Sequence, residues 1–285
     1  MTLINNNNLQ QQKQPDKFTI RKFIFKTATF NVSTASETEQ LGLICSELET
    51  AGITAAGLQE TRIPGTGKKV IPVKNEEFEV YWSGKDGKKE YGVAICLKRS
   101  RHVEFERVEY GNDRMMAVDA RIAGVKFRIV SCYAPQNGRS LSEKTQFYHD
   151  LEKLIVSKEC HRKLLLLGDF NSFCSSFHRN CNFTGKNIDE LSEYESHESG
   201  DMFIDFCIQH KLGSLATFYQ HSWLHRATHY NNNDLTVRVY DHLVCSEWLR
   251  KFTLDCRVRN NIHKSQTIDA LWLFMQSLGS NEIVN

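Results

Sequence analysis

Four consecutive leucines, Leu164 to Leu167, constrain the fold more than any other stretch of this chain. A run without polar alternation has no solvent-facing side, so it predicts a strand buried on both faces of a sheet. Asp169 and Asn171 follow at the carboxyl end of that strand. Side chains two positions apart on a strand share a face, so we expect these two to point toward one place. Such strand ends are where α/β proteins bind ligands, although an ordinary Asp/Asn turn has the same composition.

The composition is that of a globular protein with a single α/β domain. The 285 residues are 40% hydrophobic and 25% charged, which suffices for a buried core. A net charge of +2 creates no overall basic field, so contact with nucleic acid requires a local patch. Residues 1–20 are rich in Asn and Gln and predict a disordered tail, which leaves residues 21–285 as the domain.

The cysteines and the apolar runs indicate where such a protein works. Nine scattered cysteines without a secretory leader predict reduced thiols in an intracellular protein, nuclear or cytoplasmic. No apolar run approaches the roughly 20 residues that span a bilayer, so we expect no membrane partner. We also expect a monomer.

A strand–helix–strand unit opens the domain. Residues 25–31 predict a strand, and the spacing of Ser36 and Glu39 is that of a capping box that begins a helix. Gly52 ends this helix, and residues 53–58 predict the second strand. The two strands of such a unit run parallel, so their carboxyl ends meet at one edge of a sheet.

A largely antiparallel run separates this unit from a second one. Residues 64–69 predict a loop, and alternating segments then predict strands, with a hairpin at Ala123 and Gly124. Ser140 and Glu143 again have capping-box spacing, before a helix that leads into the leucine strand. Residues 214–218 predict a late strand. Two such units with antiparallel strands between them predict two sheets packed face to face with helices outside.

Polar side chains follow several of the predicted strands. They are Asn31, Glu60, Tyr133, Asp169, Asn171 and Asp241. Their oxygen atoms suit a hard cation such as Mg²⁺ or Mn²⁺, which takes one or two protein carboxylates. Such a metal ion serves phosphoryl chemistry by neutralising phosphate oxygens and assisting the leaving group.

Five segments together resemble a known family, in their order as well as their letters. The sequence is similar to the endonuclease/exonuclease/phosphatase superfamily, and closest to the branch with craniofacial development protein 2 and the endonuclease domains of LINE-type retrotransposons. Asn112-Asp113-Arg114 resembles the "NDR" element of that branch. The five segments are Thr29–Val32, Leu58–Arg62, Val130–Pro135, Gly168–Asn171 and Val239–Leu243.

The resemblance implies a four-layer α/β sandwich and metal-dependent phosphodiester hydrolysis on nucleic acid, with DNA the expected partner. It implies that Glu60 binds the divalent metal with Asn31 beside it, and that Asp169 activates the attacking water. Asn171 and Tyr133 would hydrogen-bond the scissile phosphate, and Arg114 would bind it as well. These roles agree with residue type, since carboxylates accept protons and amides or phenols donate to an oxyanion.

One position departs from the family pattern. Active members carry Ser-Asp-His before the last strand, whereas Asp269 is followed here by Ala270. Asp269 remains a candidate for the metal site, and Asp241 matches the aspartate that braces the missing histidine. Loss of such a group typically costs on the order of 10²–10⁴-fold in rate. His242 should face away from Asp241 on its strand, while His263 lies in a loop of unreadable placement.

Two functions therefore remain open. One is a Mg²⁺-dependent endonuclease-like phosphodiesterase whose activity is impaired by Ala270. The alternative is a catalytically inactive nucleic-acid-binding or vestigial protein derived from a retroelement. The cations Arg62, Lys85, Lys88 and Lys89 either line a phosphate groove or belong to a solvated loop.

Overall fold

The computed structural model describes residues 24–156, 162–174, 183–187, 198–222, 225–231, 236–259 and 270–276. The predicted tail, residues 1–20, lies outside the described residues, as do His263 and Asp269.

The described residues form fifteen strands, numbered in chain order. They are β1 Ile24–Asn31, β2 Ala55–Gln59, β3 Thr66–Val73, β4 Glu76–Ser83, β5 Val93–Lys98, β6 Val103–Asn112, β7 Met115–Ile122, β8 Val125–Tyr133, β9 Lys163–Asp169, β10 Leu212–Ser214, β11 His229–Asn231, β12 Thr236–Arg238, β13 Asp241–Ser246, β14 Thr253–Arg259 and β15 Ala270–Gln276.

Four α-helices accompany the strands. They are α1 Thr38–Thr50, α2 Leu141–Ile155, α3 Glu198–Gln209 and α4 Glu247–Arg250, with a 3₁₀ helix at Leu215–Phe218. No helix among the described residues is long and apolar enough to cross a membrane.

The strands form two large mixed sheets. The first has the order β14-β15-β1-β2-β5-β4-β3, and the second has the order β10-β13-β9-β8-β7-β6. Strands β1 and β2 are parallel, as are β8 and β9, and the other pairs in these sheets are antiparallel. A two-stranded sheet of β11 and β12 completes the set.

The layers follow from which face of each strand is apolar. Side chains such as Phe25, Ile129 and Leu165 fill the space between the two sheets. On the outer face of the first sheet, α1 packs its buried residues against β1, β2, β4 and β5. On the outer face of the second sheet, α2 and α3 pack against β7, β8, β9 and β13. The predicted four-layer α/β sandwich, with two mainly antiparallel mixed sheets inside, is confirmed.

Three local predictions were wrong in instructive ways. The capping box of α1 joins Glu37 and Gln40, one residue later than the predicted Ser36 and Glu39; the Glu37 backbone N–H donates to Oε1 of Gln40 at 3.2 Å. Part of the predicted loop 64–69 belongs to β3, an edge strand. Lys68 and Lys69 are exposed on it, and such a polar segment resembles a loop in sequence. The predicted strand at 214–218 is largely the 3₁₀ helix, because a short apolar run has no decisive period.

The two parallel pairs bring four strand ends to one rim of the sandwich. In the first sheet Asn31 lies beside Gln59, and in the second sheet Tyr133 lies beside Asp169. Strand β13 begins at this rim, where Asp241 pairs with Asp169. Residues distant along the chain therefore share one edge of the two sheets.

Candidate active site

Asn31 connects the two sheets at this rim. Its Nδ2 donates to Oε1 of Glu60 at 2.8 Å and to Oδ2 of Asp169 at 3.0 Å. Glu60 follows β2 of the first sheet, whereas Asp169 ends β9 of the second sheet. One amide thus holds two carboxylates that are 109 positions apart in the sequence.

The backbone turns sharply beside each of these side chains. Glu60 has φ +55° and Ser33 has φ +54°, in the left-handed region that non-glycine residues rarely adopt. The Ser33 backbone N–H donates to Oδ1 of Asn31 at 3.1 Å, which orients the amide with its nitrogen toward the carboxylates. Strain of this kind concentrates at functional sites.

Asn171 reaches the site by a turn rather than by strand alternation. We expected it to share a strand face with Asp169, but β9 ends at Asp169 and Asn171 has φ +47°. Its backbone N–H donates to Oδ1 of Asp169 at 2.8 Å, and its Nδ2 donates to the carbonyl of Ala134 at 2.9 Å. The turn therefore brings the two residues together, and the geometric premise of the prediction was wrong.

The carboxyl group of Asp169 is buried beside a second acid. Burial raises the pKa of Asp169 to about 6, and the negative charge of Glu60 adds to this effect. Hydrogen bonds from Asn171 and Asn31 act in the opposite direction because they stabilise the carboxylate. A pKa near neutrality suits a group that accepts a proton at physiological pH.

Tyr133 and Arg114 form the neighbouring wall of the site. Burial raises the pKa of the Tyr133 phenol, and the charges of Glu60 and Asp169 raise it further, so the phenol stays protonated and can donate. The guanidinium of Arg114 lies 5.4 Å from the ring centre of Tyr133. It also lies 4.0 Å from the ring centre of Tyr91, which is a cation–π distance.

Sequence analysis did not single out two residues that hold Arg114. Tyr91 stacks on its guanidinium, and Glu143 of α2 accepts a hydrogen bond from it at 3.3 Å. Glu143 had been noticed only for its capping spacing, and its N–H does donate to Oγ of Ser140 at 3.2 Å. Neither residue has a distinctive spacing to Arg114 in the sequence, so only the folded chain reveals the contact.

Asp241 and His242 lie on opposite faces of β13, as predicted. Asp241 shares the inner face with Leu243, and its backbone pairs with Asp169. His242 is buried on the outer face, where its ring contacts those of Phe170 and Phe203. His242 therefore does not replace the missing family histidine.

Ala270 begins β15 at the same rim. Its backbone pairs with Phe30, the residue before Asn31. The strand that would follow a family histidine thus starts beside the residues gathered around Asn31. Asp269 and His263 lie outside the described residues, so their predicted and open roles stay predictions.

The cations near the site have different carboxylate partners. Arg62 lies 3.4 Å from Oε2 of Glu60, although its side chain is 47% exposed. Lys85 pairs with Glu90, and Lys89 pairs with Glu37 on the surface. The two alternatives for these cations, a phosphate groove and a solvated loop, therefore both stay open.

The donors at the rim fit a hard divalent cation in type. Within the described ranges, no group of three or more His, Cys, Asp or Glu side chains is arranged to hold a metal. Mg²⁺, however, usually takes one or two protein carboxylates and completes its shell with water and phosphate oxygens. Glu60 and Asp169 supply two such carboxylates around one amide, and their like charges leave negative charge for a cation to balance.

The chain matches one protein family and several solved structures of similar fold. Residues 28–255 match the Endonuclease/Exonuclease/phosphatase family. No curated protein matches the chain.

Three solved structures show the likeness, each at low sequence identity. The endonuclease domain of TRAS1, a telomere-specific non-LTR retrotransposon, has 15% identity and a TM-score of 0.60, with 90% of this chain and 100% of that chain covered. The 3′ phosphatase NExo from Neisseria bound to product DNA hairpin has 18% identity and a TM-score of 0.59, with coverage of 88% and 99%. An AP endonuclease from Archaeoglobus fulgidus has 16% identity and a TM-score of 0.63, also with coverage of 88% and 99%.

Proposed function

This chain belongs to the endonuclease/exonuclease/phosphatase family, and we propose that it is a divalent-metal-dependent phosphodiester hydrolase of the endonuclease type that acts on nucleic acid. The observation that carries the proposal is the amide of Asn31, which donates to Glu60 from one sheet and to Asp169 from the other. A chain that needed only a stable sandwich would not bury the carboxyl group of Asp169 beside that of Glu60, which carries the same charge and is 22% exposed.

Each side chain has a role that its position supports. Asp169 accepts the proton of the attacking water, since its raised pKa of about 6 makes it a better base than an ordinary aspartate near neutral pH. Asn171 and Tyr133 donate hydrogen bonds to the scissile phosphate. Arg114, held against Tyr91 and Glu143, places positive charge beside them.

Glu60 and Asp269 are the residues that would hold Mg²⁺ or Mn²⁺, with Asn31 beside Glu60. When bound, such an ion would neutralise phosphate charge and stabilise the leaving oxygen. The Asn31 amide holds Glu60 and Asp169 in place through two hydrogen bonds. Preorganisation of this kind reduces the reorganisation that binding requires.

DNA is the proposed substrate. Support comes from two of the similar structures, one bound to a product DNA hairpin and one an AP endonuclease. The net charge of +2 gives no general attraction, so contact depends on local cations such as Arg114. A fold close to a retrotransposon endonuclease domain is compatible with retroelement descent.

A specific observation favours a second function, a catalytically inactive nucleic-acid-binding protein. Ala270 opens β15 beside Phe30, where the family pattern places a histidine before the last strand. The family pattern pairs the aspartate that Asp241 matches with that histidine, and Ala270 carries no imidazole. The two functions differ in turnover, not in fold.

Nicking of supercoiled plasmid with Mg²⁺ or Mn²⁺ tests the proposal. We expect slow nicking by the wild-type protein, loss of nicking in Asp169→Ala, and a rate about 10²-fold higher or more in Ala270→His. Asp150→Ala removes a partly exposed carboxylate of α2 that pairs with Lys153, and it serves as the control with unchanged rate.

Two results would redirect the interpretation. A robust wild-type rate that Ala270→His leaves unchanged would show that another group already supplies the proton. Retained DNA binding with no nicking by wild type or Ala270→His would establish the binding protein instead.

A further inference from the structure

A buried polar bridge joins the two sheets directly beneath the candidate site. Gln59 of β2 lies at its centre and is fully buried, as are Thr29 of β1 and Ser131 of β8. The Thr29 hydroxyl donates to Oε1 of Gln59 at 3.1 Å. Nε2 of Gln59 donates to Oγ of Ser131 at 3.1 Å and to the carbonyl of Leu167 at 3.2 Å.

The bridge crosses between the sheets twice. Gln59 reaches from the first sheet to Ser131 and Leu167 of the second, and Ser131 donates back to the carbonyl of Leu58 at 3.1 Å. The orientation of the Gln59 amide is determined, because the Leu167 carbonyl can only accept and therefore faces the nitrogen. Every polar group of the Gln59 amide is satisfied, as a group in a dry interior requires.

The sheets come unusually close at this level. A Cβ atom added at Gly57 would lie 2.6 Å from Cβ of Leu167 and 3.2 Å from Oγ of Ser131. Gly57 and Gln59 are two apart on β2, so both face the second sheet. Because Gly57 has no side chain, the two sheets can approach closely at this point. At that separation the Gln59 amide reaches Ser131 and Leu167 of the second sheet.

Each member of the bridge lies just before a candidate site residue. Ser131 precedes Tyr133 by two positions and Leu167 precedes Asp169 by two, so each pair shares a strand face. Thr29 has the same relation to Asn31, and Gln59 precedes Glu60 directly. The bridge therefore lies directly beneath the candidate site and connects the strands that carry its residues.

We propose that Gln59 is a positioning residue, which fixes the separation of the site's two halves by binding Ser131 and Leu167 across the sheets. One half is Asn31 with Glu60 and the other is Asp169 with Tyr133. The proposal rests on the proposed function only for its catalytic consequence, since the same separation sets how a cation held by Glu60 lies relative to Asp169. Supporting groups around metal ligands commonly change metal affinity or activity by about 10–100-fold.

Gln59→Met tests this, because methionine keeps the volume of glutamine and removes its hydrogen bonds. Mn²⁺ affinity is measured by electron paramagnetic resonance, DNA affinity by titration, and kcat by plasmid nicking well below the unfolding temperature. We expect Mn²⁺ affinity to fall about 10-fold and kcat to fall about 10–100-fold. DNA affinity should fall less than Mn²⁺ affinity, since Arg114, which is not part of the bridge, also supplies charge to the phosphate.

Strand β1 offers a matched pair of controls. Thr27 and Thr29 lie on the same face and both are fully buried, but the Thr27 hydroxyl has no hydrogen-bond partner within the described residues. Thr29→Val should lower Mn²⁺ affinity and kcat, whereas Thr27→Val should leave both unchanged. Thr29→Val in a Gln59→Met background should add nothing, since both act through one bridge.

The outcomes separate the positioning role from the proposed function. Unchanged Mn²⁺ affinity and kcat in folded Gln59→Met and Thr29→Val, with only a lower unfolding temperature, would overturn the positioning role. Wild-type protein that binds Mn²⁺ without cleaving DNA would overturn the proposed activity, and Mn²⁺ affinity would still decide the role of Gln59. Wild type that neither binds Mn²⁺ nor cleaves would overturn both. If Gln59→Met does not fold, Thr29→Val and Ser131→Ala carry the same test.

Discussion

His242 follows Asp241 directly but is buried in the interior, away from the candidate site. Its Nε2 lies 2.9 Å from the Ser172 carbonyl, which can only accept, so Nε2 carries the proton. Its Nδ1 then accepts from the Ser214 hydroxyl at 2.9 Å. Burial lowers the pKa of His242 to about 4, since the charged ring would lose its water. The neutral ring thus joins β13, β10 and the segment after Asn171.

This histidine should make the fold sensitive to acid. Between pH 6.5 and about 4 the unfolded chain binds a proton at this residue that the folded chain refuses, so stability falls as the pH falls through that window. The contribution amounts to about 3 kcal/mol at most. Asp169 has the opposite effect on stability. Because its pKa is raised to about 6, the folded chain binds a proton there at a higher pH than the unfolded chain, which favours the folded state as the pH falls.

Comparison with His242→Gln isolates the effect, because Asp169 is present in both proteins. Urea unfolding at pH 7 and at pH 4.5 should show a larger loss of stability for wild type than for His242→Gln. Equal losses in the two proteins would refute the assignment.

Gly57 and Gly42 should respond oppositely to alanine. At Gly57 the new methyl group would meet Leu167 at 2.6 Å, so Gly57→Ala should destabilise the protein by about 1–3 kcal/mol through overpacking. At Gly42 of α1 nothing lies within 4 Å, so Gly42→Ala should stabilise it by about 1 kcal/mol through helix propensity. Thermal unfolding of both variants measures the contrast, and a neutral Gly57→Ala would mean that the sheets can separate without cost.

A buried charge network fastens α2 to the second sheet. Asp119 of β7 is 1% exposed and accepts hydrogen bonds at 2.9 Å from Arg107 of β6 and Arg128 of β8. Arg128 is 2% exposed, and its Nε donates to the carbonyl of Leu154 near the end of α2 at 2.8 Å. Arg162, just before β9, lies 3.6 Å from Asp119. Three strands and one helix therefore depend on a single carboxylate.

Removal of that carboxylate should be costly. Asp119→Ala would leave the buried guanidinium of Arg128 without its main counter-charge, and we expect a loss of about 3–5 kcal/mol. Lys89→Ala, which breaks the exposed pair with Glu37, should cost less than about 1 kcal/mol. Chemical denaturation compares the two, and a similar small effect in both would contradict the network.

The predictability of the elements followed the strength of their local signals. Helix α2 was predicted from Ser140 and Glu143, whose capping bond is present. Strand β14 was not predicted, because Asp255 and Arg257 face outward between the buried Cys256 and Val258 on an edge strand. An edge strand buries one face only and has a weak apolar pattern.

The candidate site shows the same division between local and distant information. The order of the motifs was enough to name Asn31, Glu60 and Asp169, and the structure does place them together. The bridge through Gln59 was not foreseen, because it depends on how closely the two sheets approach. The distance between the sheets depends on the packing of both, so the sequence of β2, β8 or β9 alone does not predict it.

A ligand that contacts both sheets should stabilise the whole sandwich. If Mn²⁺ binds at Glu60, beside Asp169, it opposes global unfolding by about 2.7 kcal/mol at one hundred times its dissociation constant. We expect the unfolding temperature of wild type to rise with Mn²⁺ concentration, and that of Glu60→Gln to rise much less. Calcium-free buffer with added EDTA gives the baseline, and an equal rise in both proteins would place the ion elsewhere.

Strand β1 lies inside the first sheet, between β2 and β15. Its neighbour β2 follows within 30 residues, but β15 begins at Ala270. During synthesis on the ribosome, one side of β1 therefore stays uncovered until the last strand of the sheet has emerged. Open strand edges pair readily with other chains, so the nascent protein passes through a period of exposure to aggregation.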